Sequence, residues 1–223
     1  MPHYDGSIPH DRFIRAVSHI KAQSYPLWEL LIYHDGPISS PALLDYAKSI
    51  SDKRIKFIQT KKRFNDWGHT LRDMGIAAAG GDYIFITNSD NVIYQNALAI
   101  LAAYALRPRQ EIGMKHPDGS VRKHIFNPEV LIYAVKMMGS FNYLNEYKTS
   151  RLKGAEEQLQ LILSGWPPNK YSVDAMQMVA KRSVWVRHGG WSKKNEESDG
   201  ELIQHITRNE GYFIVPEVLG EHW

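Results

Sequence analysis

The chain has 223 residues, 43% of them hydrophobic and 23% charged, with a net charge of +3 and no cysteine. That is enough chain for one domain with a real core, while its weak, scattered positive charge argues against nucleic acid as a partner. Without cysteine there is no disulfide framework and no thiolate site, and no apolar run reaches the length of a transmembrane helix.

In chain order, Phe13, Ile14, Val17 and Ile20 give residues 10–24 a helical period. "WELLIYHDG", residues 28–36, reads as a strand and its turn at Asp35-Gly36. Residues 39–50 read as a helix that starts at Ser39-Ser40-Pro41. "RIKFIQ" (54–59) is a strand by alternation, and "GHTLRDMGIAAAG" (68–80) is a helix with a C-cap signal at Gly80-Gly81. "DYIFIT" (82–87) is the next strand and "QNALAILAAYAL" (95–106) a helix. This alternation predicts a parallel sheet over residues 1–106, with ligands at the carboxyl ends of its strands, where Asp35 and Asn88-Ser89-Asp90 fall. In the second half, "NPEVLIYAVKMMGSFNYL" (127–144) and "AEEQLQLILSG" (155–165) read as helices. "SVDAMQMVAKRSVWVRHGGW" (172–191) is mixed. "DGELIQHITRNEG" (199–211) is a short helix with Asp199 near its N-cap, and "YFIVPEVLGEHW" (212–223) is extended. The two halves are expected to share one sheet.

The polar run Asn88-Ser89-Asp90-Asn91 after an apolar strand has two readings. Asn, Ser and Asp form turns for local reasons. On a strand-end loop they also supply a carboxylate for a hard cation and hydrogen bonds for a sugar.

Several stretches, in order, resemble family 2 glycosyltransferases of the GT-A fold. "PHYD" (2–5) is similar to the family's proline-x-tyrosine-Asn/Asp motif. "AVSHIKAQSYPLWELLIYHDG" (16–36) resembles the following helix, Gln-Ser/Thr-Tyr segment and Asp-Gly strand. "NDWGHTLRDMGIAAAGGDYIFITNSDN" (65–91) resembles the Gly-x-x-x-Arg-Asn segment and the strand that ends in Asp-x-Asp. "GGW", "SDGELIQHI" and "EGYFIVPEVLGEHW" resemble the catalytic helix and the closing strand with its histidine. The match is weakest over residues 107–170. Here Asn88 stands for the first Asp of Asp-x-Asp, and Asp73 for the Asn of the Arg-Asn pair.

The resemblance implies a mixed, mostly parallel α/β sheet flanked by helices, with a Rossmann-like nucleotide-binding half. It implies one domain over 1–223, with a nucleotide-sugar half at 1–106 and an acceptor half at 107–223. Pro2, Tyr4, Asp35, Gly68, Arg72, Asn88 and Ser89 would bind the nucleotide sugar. Asp90 and His222 would hold Mn²⁺ or Mg²⁺. Asp174, Gln177 and Trp191 would lie on the acceptor side, and Asp199 would be the general base of an inverting transfer. Each residue keeps a structural alternative. Asp199 caps a helix, Asp35 shapes a turn, His222 is a solvated surface group, and Asp174 and Gln177 make strand-end hydrogen bonds. Arg63 with Lys61-Lys62 is a solvated face or a phosphate contact, and Trp185 and Trp191 are core.

The expected activity is transfer from a nucleotide-diphosphate sugar to a sugar or glycan acceptor in polysaccharide biosynthesis. The alternatives are a sugar-nucleotidyltransferase, for which "PHYDGSIPHDR" is a poor Gly-rich basic loop, and a catalytically silent nucleotide-sugar-binding module. A cytoplasmic location is expected, since the N-terminus shows no basic start and apolar core. Family members carry an apolar strand before the proline, where this sequence begins with Met1. The expectation is a truncated start or a rebuilt sheet. Either leaves reduced stability and a groove beside residues 28–34 that invites pairing with another chain, in a homo-oligomer for example.

Overall fold

The structure, a computed structural model, describes residues 1–115, 119–126, 128–138, 161–169, 173–191 and 198–223. Its first strand, β1, is only Pro2–His3. Helix α1, His10–Lys21, buries Phe13, Ala16, Val17 and Ile20, the apolar stripe its spacing predicts. β2, Leu30–His34, is buried along its whole length. Helix α2, Pro41–Ser49, begins as expected: Ser40 Oγ accepts from the Leu43 N–H at 3.3 Å, and Pro41 sits where no helical N–H is needed. With β3, Ile55–Gln59, these strands form a parallel sheet in the order β1-β2-β3.

Helix α3, His69–Ala78, leads to β4, Tyr83–Phe85. Then come β5, Val92–Ile93, and helix α4, Ala97–Ala105. A hairpin follows, β6 Gln110–Lys115 against β7 Val121–Phe126. After it come β8, Val130–Met137, and β9, Leu161–Leu163. A 3₁₀ turn, Ala175–Gln177, runs into β10, Met178–Lys181, and α5, Arg182–Arg187. Helix α6, Ser198–Glu210, and β11, Phe213–His222, close the described chain. The second sheet has the order β4-β10-β8-β11-β5, with β9 paired to β8. It joins β4 and β5, from before residue 107, to strands from after it.

Several expectations are corrected. Residues 130–137 form a strand, not a helix. Val130, Leu131, Ile132 and Tyr133 are all fully buried between β10 and β11, and a strand covered on both faces has a continuous apolar run that periodicity cannot tell from a buried helix. Residues 161–163 are likewise a strand, added to β8. The remainder of those two expected helices, 139–144 and 155–160, lies outside the described residues. β4 does not extend the parallel sheet. It pairs antiparallel with β10, a long-range choice invisible in its own residues. Gly80-Gly81 is not a left-handed C-cap. The helix stops at Ala78, and both glycine N–H groups donate to Glu29 Oε1, at 2.6 and 3.2 Å.

Candidate active site

The ends of β1 and β2, the start of α3, the loop after β4 and the first turn of α6 meet around one cavity of 620 Å³. It is lined by Pro2, Tyr4, Asp35, Gly68, Arg72, Asn88, Ser89, Asp90 and Asp199. Local chemistry explains how these residues reach it. Gly68 has φ +79°, and a Cβ there would stand 2.6 Å from the Pro2 Cβ, so only glycine lets the start of α3 lie against β1. His3 Nδ1 meets Ser89 Oγ at 2.9 Å, which ties the end of β1 to the loop after β4. Asp5 Oδ2 accepts from the Ser39 and Ser40 N–H groups at 2.8 and 2.9 Å and fixes the entry to α2.

Asp35 is a turn residue and a cavity residue together. Its carboxylate accepts from the Phe64 and Asn65 N–H groups at 2.7 and 3.0 Å, and Arg63 Nε lies 3.8 Å from Oδ2. The Arg63 guanidinium stacks on the Tyr4 ring, 3.7 Å from its centroid. Arg63 therefore lines the cavity while its side chain stays 46% exposed. Asn65 and Trp67 carry positive φ in this same loop, a conformation that non-glycine residues seldom adopt.

Asn88 closes a turn, its carbonyl accepting from the Asn91 N–H at 3.4 Å, while its side-chain oxygen accepts from Arg72 at 2.8 Å. Arg72 also donates to Asp199 Oδ1 at 3.2 Å, and Trp191 Nε1 donates to the same oxygen at 2.6 Å. His69 stands 3.5 Å from that oxygen and stacks on Trp191. Burial raises the Asp199 pKa above the ordinary carboxylate range, against the pull of Arg72. Among the described residues, no capping bond of Asp199 joins these contacts. It lies inside the first turn of α6, and its carboxylate faces Arg72 and Trp191.

Asp174, Gln177, Trp191 and His222 do not line the cavity. Asp174 Oδ1 caps the 3₁₀ turn through the Met176 N–H at 2.9 Å, and its Oδ2 lies 3.3 Å from His222 Nε2. Burial pushes the Asp174 carboxyl up, but His222, the Met176 N–H and Arg72 together more than offset this and the net shift is downward. Gln177 is fully buried and donates to the Tyr133 and Leu163 carbonyls, both at 2.9 Å. Trp191 is 2% exposed, stacked between Trp185 and His69.

Asp90 is held up in pKa by burial and down by the charge of His222. A carboxylate in that position is the kind a hard cation keeps ionised. Among the described residues, no group of three His, Cys, Asp or Glu side chains stands close enough to cage a metal. Of the two expected ligands only Asp90 lines the cavity, and an ion held there would complete its shell from diphosphate and water.

Sequence reasoning missed His69, Trp67 and the tie between His3 and Ser89. His69 lay inside the Gly68-to-Arg72 stretch, but nothing local shows that a helix-start histidine faces residue 199.

The glycosyl transferase family 2 profile matches residues 1–151. A putative colanic acid biosynthesis glycosyl transferase, WcaA, of Escherichia coli K12 is 30% identical over 91 residues, 41% of this chain and 32% of that protein. Glycosyltransferase GlyG of Streptococcus pneumoniae is 26% identical over 88 residues, 40% of this chain and 29% of its own. The matches thus span about a third of the length of these relatives. In shape, S. aureus TarS 1–349 in complex with UDP superposes with a TM-score of 0.66 at 12% identity, covering 99% of this chain and 58% of that one. The mannosyltransferase PcManGT of Pyrobaculum calidifontis, in complex with GDP-Man and Mn²⁺, gives 0.63 at 15%, covering 99% and 55%. These likenesses bear out the GT-A-type fold expected from the sequence. By the family profile, which takes in more than half of its residues, the chain belongs to glycosyl transferase family 2.

Proposed function

We propose that this domain moves a sugar from a nucleotide-diphosphate sugar to an acceptor hydroxyl, with inversion, residues 1–106 forming the donor half and 107–223 the acceptor half. The observation that carries this reading is the position of Asp199. It comes from α6, late in the chain, yet its carboxylate lines the same cavity as Asp35, Arg72 and Asn88 from the first half. Pro2, Tyr4 and Asp35 take the nucleoside end. Gly68, Arg72, Asn88 and Ser89 take the phosphates and the sugar. Asp199 accepts the proton of the acceptor hydroxyl as its oxygen attacks the anomeric carbon and the nucleoside diphosphate leaves. Asp90, with His222, would hold Mn²⁺ or Mg²⁺, which when bound would neutralise charge on the departing diphosphate. Asp174 orients His222, Trp191 orients Asp199, and Gln177 fixes the turn between them on the acceptor side. The UDP and UDP-GlcNAc complexes of TarS and the GDP-Man and Mn²⁺ complex of PcManGT support a nucleotide-sugar donor and a cation. The name of WcaA supports a role in polysaccharide biosynthesis.

The test is nucleoside diphosphate release across a panel of donors and glycan acceptors with Mn²⁺. Asp199→Asn should lower kcat roughly 10²-fold or more with donor affinity little changed, and Glu201→Gln should do less. Wild-type turnover by Asp199→Asn removes Asp199 from the role of base.

A second reading, a silent nucleotide-sugar-binding module, has its own observation. One Asp199 oxygen is already shared by Arg72 and Trp191. Such a module binds the donor without releasing nucleoside diphosphate in any acceptor arm.

A further inference from the structure

Trp67 lines the same cavity as Asp35, Arg72 and Asp199, and no step of the proposed transfer uses it. Its indole is 61% exposed, whereas Trp185 and Trp191 are 1% and 2% exposed in the core. Its backbone sits at φ +54°, two residues after Asn65 at φ +55°. A bulky side chain in that left-handed region is an outlier. Such strain persists where the surroundings over-determine it, and it gathers at ligand sites.

The turn is held on both sides of Trp67. Before it, Asp35 accepts from the Phe64 and Asn65 N–H groups at 2.7 and 3.0 Å. After it, Asp66 Oδ2 accepts from the Thr70 N–H at 3.1 Å, the Asp66 carbonyl accepts from the His69 N–H at 3.1 Å, and Gly68 rests on Pro2. Its neighbours fix the conformation, and the exposed indole returns little packing for the strain.

The other aromatic rings of the cavity wall have partners. His3 stacks on Phe13 with 4.1 Å between centroids, His69 stacks on Trp191 at 5.9 Å, and Tyr4 carries the Arg63 guanidinium at 3.7 Å. Among the described residues, the Trp67 indole makes no ring contact, cation contact or hydrogen bond. An open indole face in a wall of carboxylates, amides and arginines suits a flat ring with polar edges. A nucleobase is such a ring. It stacks on an aromatic side chain whatever its edge carries, and a bicyclic purine covers more of an indole than a pyrimidine does. Trp67 stands between Asn65, bonded to Asp35, and Gly68, against Pro2, and the nucleotide-sugar reading gives Asp35 and Pro2 to the nucleoside.

We propose that Trp67 is the stacking platform for the donor's nucleobase and biases the site towards purine nucleoside diphosphates. This rests on the nucleotide-sugar reading of the cavity and adds to it the class of base. The indole supplies affinity through area, and the Asp35 carboxylate is left to meet the donor groups on the base's edge.

Calorimetry with GDP, UDP, GDP-mannose and inorganic pyrophosphate, each with Mn²⁺, tests this on the wild type, Trp67→Phe, Trp67→Ala and Trp67→Gly. Trp67→Ala should weaken GDP by roughly tenfold or more and UDP by less, with pyrophosphate unchanged, and Trp67→Phe should recover part of the loss. Trp67→Gly should weaken GDP as alanine does while Tm stays level or rises, because glycine adopts a positive φ without strain. GDP bound equally by wild type and Trp67→Ala overturns the proposal and leaves the donor reading standing. So does a loss for GDP-mannose with GDP unchanged, which gives the indole to the sugar. Equal losses for GDP and UDP overturn the purine bias. Equal losses for GDP and pyrophosphate, with Tm lowered in Trp67→Gly, overturn the proposal too, since the indole then shapes the loop rather than meeting the base. Wild-type protein that binds none of these ligands overturns it together with the donor reading.

Discussion

Asp199 is where residue chemistry is most constrained. Its folded pKa is raised, chiefly by burial. A base works ionised, so the acid limb of kcat/KM should lie above the ordinary carboxylate range and vanish in Asp199→Asn. The Trp191 indole N–H stabilises the anion from 2.6 Å. Trp191→Phe removes that hydrogen bond to the anion and should move the acid limb further up. A pH–rate profile of the two proteins checks this, and an unmoved limb assigns the base elsewhere. For Asp90 the expected result is calorimetric. UDP or GDP binds more tightly with Mn²⁺ than with chelator, and Asp90→Ala abolishes most of the difference. Equal affinity in the wild type under both conditions removes the cation from the reading. The sequence made Asp35, Asp90 and Asp199 legible because each sits at the end of a strand or the start of a helix. Arg63 and His69 were not legible, because stacking on Tyr4 and on Trp191 joins residues 59 and 122 positions apart only after folding.

Among the elements, the junction of β1 with α3 positions the donor side of the cavity. Gly68→Ala would hold φ +79° against its preference and press its Cβ on Pro2. The expected cost is about 1–3 kcal/mol, read as a lower denaturant midpoint at unchanged slope, together with weaker donor binding. A silent substitution there would mean that β1 yields to it easily. Helices α1 and α2 were readable because an amphipathic stripe and a Ser-Pro start are local signals. β8 was misread because burial on both faces erases the period that distinguishes strand from helix.

At the scale of the molecule, a cavity of 480 Å³ lies between β2 and β4, with Met1 on its wall. The unfolded amine has a pKa near 8.0 and the folded one about 5, a depressed folded value. As pH falls from 8 towards 5, the unfolded chain takes up a proton that the folded chain refuses. Stability is complete above the unfolded value and declines towards the folded one, by up to about 1.4 kcal/mol per pH unit. Acetylating Met1 removes this dependence. The difference between free and acetylated protein, measured by denaturant unfolding over that range, isolates the amine from the ten histidines. Parallel stability curves would place the amine in solvent.

The sequence by itself determined the order of the first four helices and most of the strands between them, the family resemblance and the acidic residues that gather at the cavity. These rest on local information: period, caps, and side-chain chemistry at strand ends. Only the tertiary structure decided that β4 leaves the parallel sheet for β10, that residues 130–137 are a central strand, and that Gln177 spends its amide on the Tyr133 and Leu163 carbonyls. It alone placed Asp199 against Arg72, 127 positions away, and left a cavity between β2 and β4. Strand pairing and ion pairing are settled by which distant partner satisfies a backbone edge or a buried charge, and a short stretch of sequence carries no record of that partner.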